Sequence, residues 1–235
     1  MGDKTLLFLH GIEDDDSDRS WLEALEGALR RDGSETLEER GFKVLAPSYL
    51  DLLAGDEPSE DIRPPYTYKR VSEQAEMEAA ARYWLRQSEL ERALTGVPRP
   101  SPGPLAVVPH AVAEVIVPYV FEQAHRYRNS AARRHAIYRR LIEQLPPEGD
   151  LVIVAHSLGS VVAADLLYHL PPQVRVKLLV TIGSPLTLEF LRRHLNRLKD
   201  TFPFSSVESW LNVIGHHDPV TTSRSEEHTS ELQSH

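Results

Sequence analysis

Short, continuous apolar runs alternate along the chain with longer segments in which apolar residues recur at helical spacing. The apolar runs predict buried strands at residues 5–9, 41–47, 151–155, 176–182 and 211–214. The helical spacing predicts helices at about residues 20–31, 71–94, 131–145, 158–170 and 186–198. Strands that alternate with helices favour an α/β class, with a mostly parallel sheet and helices on both faces.

The length and apolar content suit one domain. The chain has 235 residues, of which 41% are hydrophobic, and we expect residues 1–223 to form a single domain. Within it, residues 56–129 are too long for a simple connection between adjacent strands. This helical insertion before the strand at 151–155 is either a lid over a pocket or peripheral decoration.

The composition argues against several classes of partner and site. A net charge of −9 gives no electrostatic support to a nucleic-acid partner. The absence of cysteine excludes a disulfide framework and a thiolate metal site. No apolar run approaches the roughly 20 residues of a membrane span, and the first is too short for a signal-peptide core. We therefore expect a cytoplasmic protein without a transmembrane segment. The acidic residues 13–18 do not have calcium-loop spacing, so no metal site is predicted. The oligomeric state stays open.

The last twelve residues form a segment of a different kind. Residues 224–235 resemble the translation of a common sequencing-library adapter, and the alternative is a natural polar tail. A foreign segment is left out of fold reasoning. We therefore expect the natural gene to continue past Ser223, and the C-terminal strand and helix of the domain to be missing.

Residues 155–159, Ala-His-Ser-Leu-Gly, join a predicted buried strand directly to a predicted helix. A sharp turn there would raise the Ser157 hydroxyl above the sheet edge, and it requires the small residues Ala155 and Gly159 on either side. It would also place the Leu158 N–H at a helix N-terminus, where partial positive charge can meet an oxyanion. The alternative is a serine that caps an ordinary helix.

Three further motifs follow predicted strands. They are His10-Gly11-Ile12, Gly183-Ser184-Pro185 and Asp218-Pro219-Val220. Ser184 has no turn-to-helix context and precedes a proline, so it is not predicted to be a nucleophile. Asp218 suits a triad acid, and its alternative is an Asx-turn at a strand end.

Together the four motifs resemble the α/β-hydrolase family, nearest to its lipase and esterase members, over roughly residues 5–220. The middle third of the chain matches no motif, and Ala155 stands where the family usually has glycine. The resemblance implies that Ser157 is the nucleophile, that Asp218 is the acid, and that the Ile12 and Leu158 N–H groups hold the oxyanion. The positions expected to support the site are His10, Gly11, His156 and Gly159. His10 is expected to shape its loop rather than act as a base.

The triad histidine is unknown. In this family the histidine follows the acid along the chain. After Asp218 the histidines are His228 and His235, and both lie in the adapter-like tail. His216 and His217 precede the acid at the same strand end and are poorly placed to bridge it to the serine. The chain as given is therefore expected to be truncated and impaired as an enzyme.

For the complete protein, the resemblance implies a serine hydrolase. It would cleave a small-molecule ester or lipid through an acyl-serine intermediate, with no metal and no organic cofactor. Thioesterase or acyltransferase chemistry is an alternative on the same fold. A non-catalytic hydrolase-fold binding module is an alternative of a different class, and a histidine encoded after Asp218 would argue against it.

Overall fold

The structure of the chain, a computed structural model, describes residues 4–11, 20–59, 62–63, 72–94, 122–184 and 202–213. The strands are β1 (Lys4–Leu9), β2 (Phe42–Leu45), β3 (Glu148–His156), β4 (Gln173–Ile182) and β5 (Trp210–Val213). The helices are α1 (Ser20–Arg31), α2 (Leu50–Ala54), α3 (Glu73–Leu94), α4 (described over 122–129), α5 (Ala131–Gln144) and α6 (Leu158–Leu166). The expected α/β class is confirmed.

The five strands form one parallel sheet in the order β2-β1-β3-β4-β5. Strand β1 lies between β2 and β3, so Lys4 pairs with Phe42 on one side and with Asp150 on the other. The chain moves from β1 to β2 in one direction and from β3 to β4 in the other, so the direction reverses between β1 and β3. Open parallel sheets bind ligands at such a reversal, beyond the carboxyl ends of the strands. The topology therefore indicates that a ligand site would lie beyond the carboxyl ends of β1 and β3.

Strand β1 is buried on both faces of the sheet. Leu6 and Phe8 pack under α1, where the Phe8 ring stacks on Trp21 with a centroid separation of 4.0 Å. Leu7 and Leu9 belong to a larger core on the other face, which α2, α4, α5 and α6 cover. Each buried side chain of this size contributes about 1.5–3 kcal/mol. Double coverage explains why β1 is a continuous apolar run rather than an alternating one.

Some boundaries differ from those predicted. Strand β3 begins at Glu148 rather than 151, because its polar first residues still pair with β4. Helix α6 ends at Leu166 rather than 170, and the His169 N–H then bonds the carbonyl three residues earlier. Pro171 disfavours helical backbone at Leu170, so the helix does not resume after this turn. Helix α2 was not predicted, since five residues are too few to show a helical period.

Helix α3, the longest described helix of the 56–129 insertion, packs against β5 and the 3₁₀ turn before it. The Tyr83 ring stacks on Trp210 with a centroid separation of 4.6 Å, and the Glu76 carboxylate accepts a 3.1 Å hydrogen bond from the Ser205 N–H. Trp210 pairs with Leu179, which in turn pairs with Ile153, so the contact with Tyr83 lies level with the middle of the sheet. Ser157 lies beyond the carboxyl end of β3. Both alternatives for the insertion, a lid and peripheral decoration, remain predictions.

Candidate active site at the strand ends

Ser157 lies in a one-residue turn between β3 and α6. Its backbone angles are φ 49° and ψ −123°, and it is the single non-glycine residue with positive φ in the described ranges. Such a conformation costs about 1–3 kcal/mol, and residues that adopt it cluster at functional sites. The turn has the strand–turn–helix geometry of a nucleophile elbow.

A comparison within the chain shows that Ser157 is not an ordinary helix cap. Ser130, which caps α5, has an extended backbone with φ −111°, and its hydroxyl accepts a 2.9 Å hydrogen bond from the Arg133 N–H. Ser157 occupies the corresponding position before α6, but its side chain makes no capping hydrogen bond. Its backbone also lies outside the extended region that capping serines adopt. The capping alternative is therefore wrong.

Gly159 allows α6 to begin directly against β1. A Cβ atom at this position would lie 2.2 Å from the Leu9 carbonyl oxygen and 2.6 Å from that of His10. Both neighbours are backbone atoms, which cannot change rotamer to make room. On the other side of the turn, Ala155 is fully buried. The requirement for small residues thus has a steric basis that is strongest at Gly159.

The residues on either side of Ser157 have different environments. Leu158 is buried and is the first residue of α6. The first N–H groups of a helix have no intrahelical partner and lie at its positive end, which suits an anion. His156 is exposed, and its Nδ1 would lie 3.2 Å from a Cβ at Gly11. The imidazole therefore lies beside the loop that follows β1.

The loop after β1 lies against Ser157. A Cβ at Gly11 would be 3.2 Å from the Ser157 Cβ. The buried His10 ring has its Nδ1 2.7 Å from the Gly11 carbonyl oxygen, and this nitrogen carries the proton because a carbonyl only accepts. Tyr49 stacks on that ring at 4.3 Å and donates a 2.5 Å hydrogen bond to the His10 carbonyl. His10 thus holds the loop in shape.

A chain of buried hydroxyl groups supports the elbow from below. The Ser157 carbonyl accepts hydrogen bonds from the Ser160 N–H at 3.0 Å and from its hydroxyl at 2.6 Å. The Ser160 hydroxyl lies 2.7 Å from that of Ser184, and both residues are fully buried. Ser160 was not among the residues predicted to form the site. The feature of the sequence that could have indicated it is a polar residue within the otherwise apolar start of α6.

A second buried polar cluster lies at the far end of α6. The Tyr127 and Tyr138 hydroxyls lie 2.9 and 3.0 Å from one carboxylate oxygen of Asp165, and 3.0 Å from each other. Burial raises the pKa of Asp165, and bonds from the two hydroxyls and the charge of Arg134 oppose that shift. Both hydroxyls donate to the same carboxylate oxygen, which satisfies this buried acceptor. The cluster joins α4 and α5 to α6.

Several predicted positions lie outside the described residues. They are Ile12, Asp218, the histidines 216, 217, 228 and 235, the helix at 186–198 and the tail at 224–235. The structure therefore brings together Ser157, Leu158 and Gly159 with His10 and Gly11, and His156 stands at the rim of the same site. The second oxyanion donor, the acid and the triad histidine remain predictions.

In the part of the chain that the structure describes, no group of three or more histidine or acidic side chains is arranged to hold a metal ion. Across the same ranges, no helix has the length and apolar character needed to cross a bilayer. No protein-family model, curated protein or solved structure gives a significant match to this chain.

Proposed function

We propose that this chain is a serine hydrolase of the α/β-hydrolase family in which Ser157 attacks a carboxylic ester. The observation that carries the proposal is the strained backbone of Ser157, together with a side chain that does not cap the helix it precedes. A serine with a strained backbone that does not cap its helix has no evident structural purpose. A nucleophile, by contrast, needs a sharp turn that raises its hydroxyl above the end of a strand. The reversal of strand order between β1 and β3 supports the same location.

The proposed reaction has two steps. The Ser157 hydroxyl oxygen bonds to the ester carbonyl carbon as its proton passes to a base, and the carbonyl oxygen becomes an oxyanion. The bond to the alcohol then breaks, and the alcohol leaves with that proton. Water next adds to the acyl-serine, and the carboxylic acid departs as Ser157 recovers its proton. The sum is ester plus water to acid plus alcohol.

The described residues support one part of this chemistry directly. The Leu158 N–H begins α6, where the helix dipole favours the developing negative charge. Gly11 brings the loop after β1 against the Ser157 side chain, so the Ile12 N–H is the proposed second donor. The proposal assigns Asp218 as the acid that orients a histidine later in the chain. His10 is not the base, because it is buried and bonded within its own loop.

A fluorophosphonate probe, which reacts with activated serines, tests the proposal on the protein expressed from its complete gene. We expect one label per chain, on Ser157, and none on the Ser157→Ala variant. Ser34→Ala is the matched control, since that serine lies before β2 at the opposite edge of the sheet and should not affect labelling. The chain has no cysteine, so a thiol-directed probe should give no signal.

The outcomes separate the candidate functions. A folded complete protein that takes no label at Ser157 contradicts the hydrolase proposal and leaves the non-catalytic binding module as the better account. Long-read sequencing of the 3′ end of the gene provides an independent test. The proposal requires a reading frame that continues past Ser223 to a histidine codon other than those of the adapter-like tail, and a gene without one contradicts the assigned triad.

A further inference from the structure

We infer that Ser160 and Ser184 are positioning residues that aim the Leu158 N–H at the oxyanion. The inference rests on the proposed function and assigns a part in it to two hydroxyl groups that touch no substrate. They form a continuous hydrogen-bonded chain from the end of β4 to the Ser157 carbonyl. Through that carbonyl they fix the peptide group to which the oxyanion donor belongs.

The planarity of the peptide group makes this action possible. The Ser157 carbonyl and the Leu158 N–H belong to one trans peptide, so they point in opposite directions from a rigid plane. Rotating one by a given angle rotates the other equally. A hydrogen bond that holds the carbonyl pointing into the protein therefore holds the N–H pointing outward, toward the site.

The direction of the hydrogen bonds follows from the available protons. The Ser157 carbonyl only accepts, so the single proton of the Ser160 hydroxyl is donated to it over 2.6 Å. The contact of 2.7 Å between the two serine hydroxyls then requires Ser184 to donate to Ser160. A donor that itself accepts a hydrogen bond is polarised and becomes a stronger donor. Ser184 thus strengthens the bond that Ser160 makes.

Strand β4 holds the turn from two sides. The Ser157 N–H donates a 3.0 Å hydrogen bond to the Ile182 carbonyl, and the Ser157 carbonyl is held through Ser160 and Ser184. Ser184 follows Gly183, whose φ of 55° turns the chain at the end of the strand. A strained backbone persists only where its surroundings over-determine it. These bonds supply that restraint on both peptide groups of the nucleophile.

A purely structural role for Ser160 is the competing account, because serine in a helix often bonds a carbonyl of the preceding turn. The two accounts differ in kinetics. Loss of a structural bond lowers stability, whereas a misaimed oxyanion donor lowers kcat and leaves KM unchanged, since the donor acts mainly in the transition state. They also differ in coupling, because two residues that act through one carbonyl should not have additive effects on kcat.

The test measures kcat and KM for p-nitrophenyl butyrate, and the rate of fluorophosphonate labelling, in the complete protein. We expect Ser160→Ala to lower kcat about tenfold with KM unchanged, less than the 10²–10³-fold loss of an entire donor. Ser184→Ala should lower it about threefold, and the double variant should be no slower than Ser160→Ala. Ser130→Ala is the matched control, since it removes a buried capping hydroxyl remote from the elbow. It should lower the melting temperature without changing kcat.

Each result bears on a different claim. If the native protein is labelled and Ser160→Ala turns over as fast as Ser130→Ala, the positioning inference is overturned and the hydrolase proposal stands. Additive effects of the two alanine variants, or a rise in KM with kcat unchanged, also overturn it. If the native protein takes no label, the proposed function fails and the positioning role fails with it.

Discussion

Replacing Gly159 with alanine adds one methyl group at the point where α6 meets β1. The new Cβ would lie 2.2 Å from the Leu9 carbonyl oxygen and 2.6 Å from that of His10. Because Cβ atoms essentially never approach heavy atoms closer than 3.0 Å, the start of the helix must move by about 0.8 Å relative to the strand. No side-chain rotation can relieve the contact, since both oxygens belong to the backbone.

The size of the effect follows from two opposing contributions. Overpacking of this kind typically costs about 1–3 kcal/mol, and contact with backbone on two sides favours the upper end of that range. Alanine recovers about 1 kcal/mol through its better helix propensity. We therefore expect Gly159→Ala to lower the free energy of unfolding by about 2 kcal/mol, and the melting temperature by about 4–8 °C for a chain of this length.

The same movement should reduce reactivity. A displacement of about 1 Å between a nucleophile and its partners costs about 10²-fold in rate. Denaturant unfolding and fluorophosphonate labelling of Gly159→Ala measure the two effects on one sample. Gly27→Ala is the matched control, because its new Cβ would meet only the end of the Arg31 side chain at 3.4 Å within α1. It should gain about 0.5–1 kcal/mol and label at the native rate.

A Gly159→Ala protein as stable and as quickly labelled as the native protein would refute the close approach of α6 to β1. Reduced stability with native labelling would keep the steric argument and refute its connection to the nucleophile. Reduced labelling with native stability would mean that the strand and helix separate at no cost, which the close contacts do not allow.

Gly11→Ala should slow labelling of Ser157 about tenfold with little loss of stability, because its Cβ would lie 3.2 Å from the Ser157 Cβ and would crowd the approach of the probe; native labelling would contradict this. Asp165→Asn should remove a pH dependence. Burial raises the pKa of Asp165, so stability should fall by up to about 1.4 kcal/mol per unit as pH rises from its unfolded pKa to the raised one. Asp51, whose pKa a hydrogen bond from Arg140 lowers, should show the opposite sign, losing stability as pH falls. Urea unfolding across pH tests both aspartates.

Much of the fold was predictable because strands buried on both faces are continuous apolar runs, which are recognised directly in the sequence. The apolar run at Thr5–Leu9 predicted β1 to within one residue of its bounds. The polar start of β3 at Glu148 escaped notice, since its pairing with β4 continues after the apolar pattern stops. The strand order was not predictable from the pattern alone, because pairing between β1 and β3 depends on contacts across most of the chain.

In the candidate site, too, residues close together in sequence were predictable and residues far apart were not. Ser157 and Gly159 were predicted as site residues because the strand, the turn and the helix around them are all close in sequence. Tyr49 was missed, since its bond to the loop after β1 joins residues 39 positions apart. Ser184 was not predicted to be a nucleophile, and its partner Ser160 is 24 positions away, so the pair is recognised only in three dimensions.

The position of β1 inside the sheet, between β2 and β3, has a consequence for synthesis in the cell. One of its neighbours, β2, is made soon after it, but the other, β3, begins only at Glu148. At about 5–20 residues per second, a ribosome needs roughly 7–30 s between the two strands. Throughout that interval β1, which is apolar from Leu6 to Leu9, has an unpaired edge, which is a template for aggregation. We therefore expect the yield of soluble protein to depend on chaperones and on expression temperature.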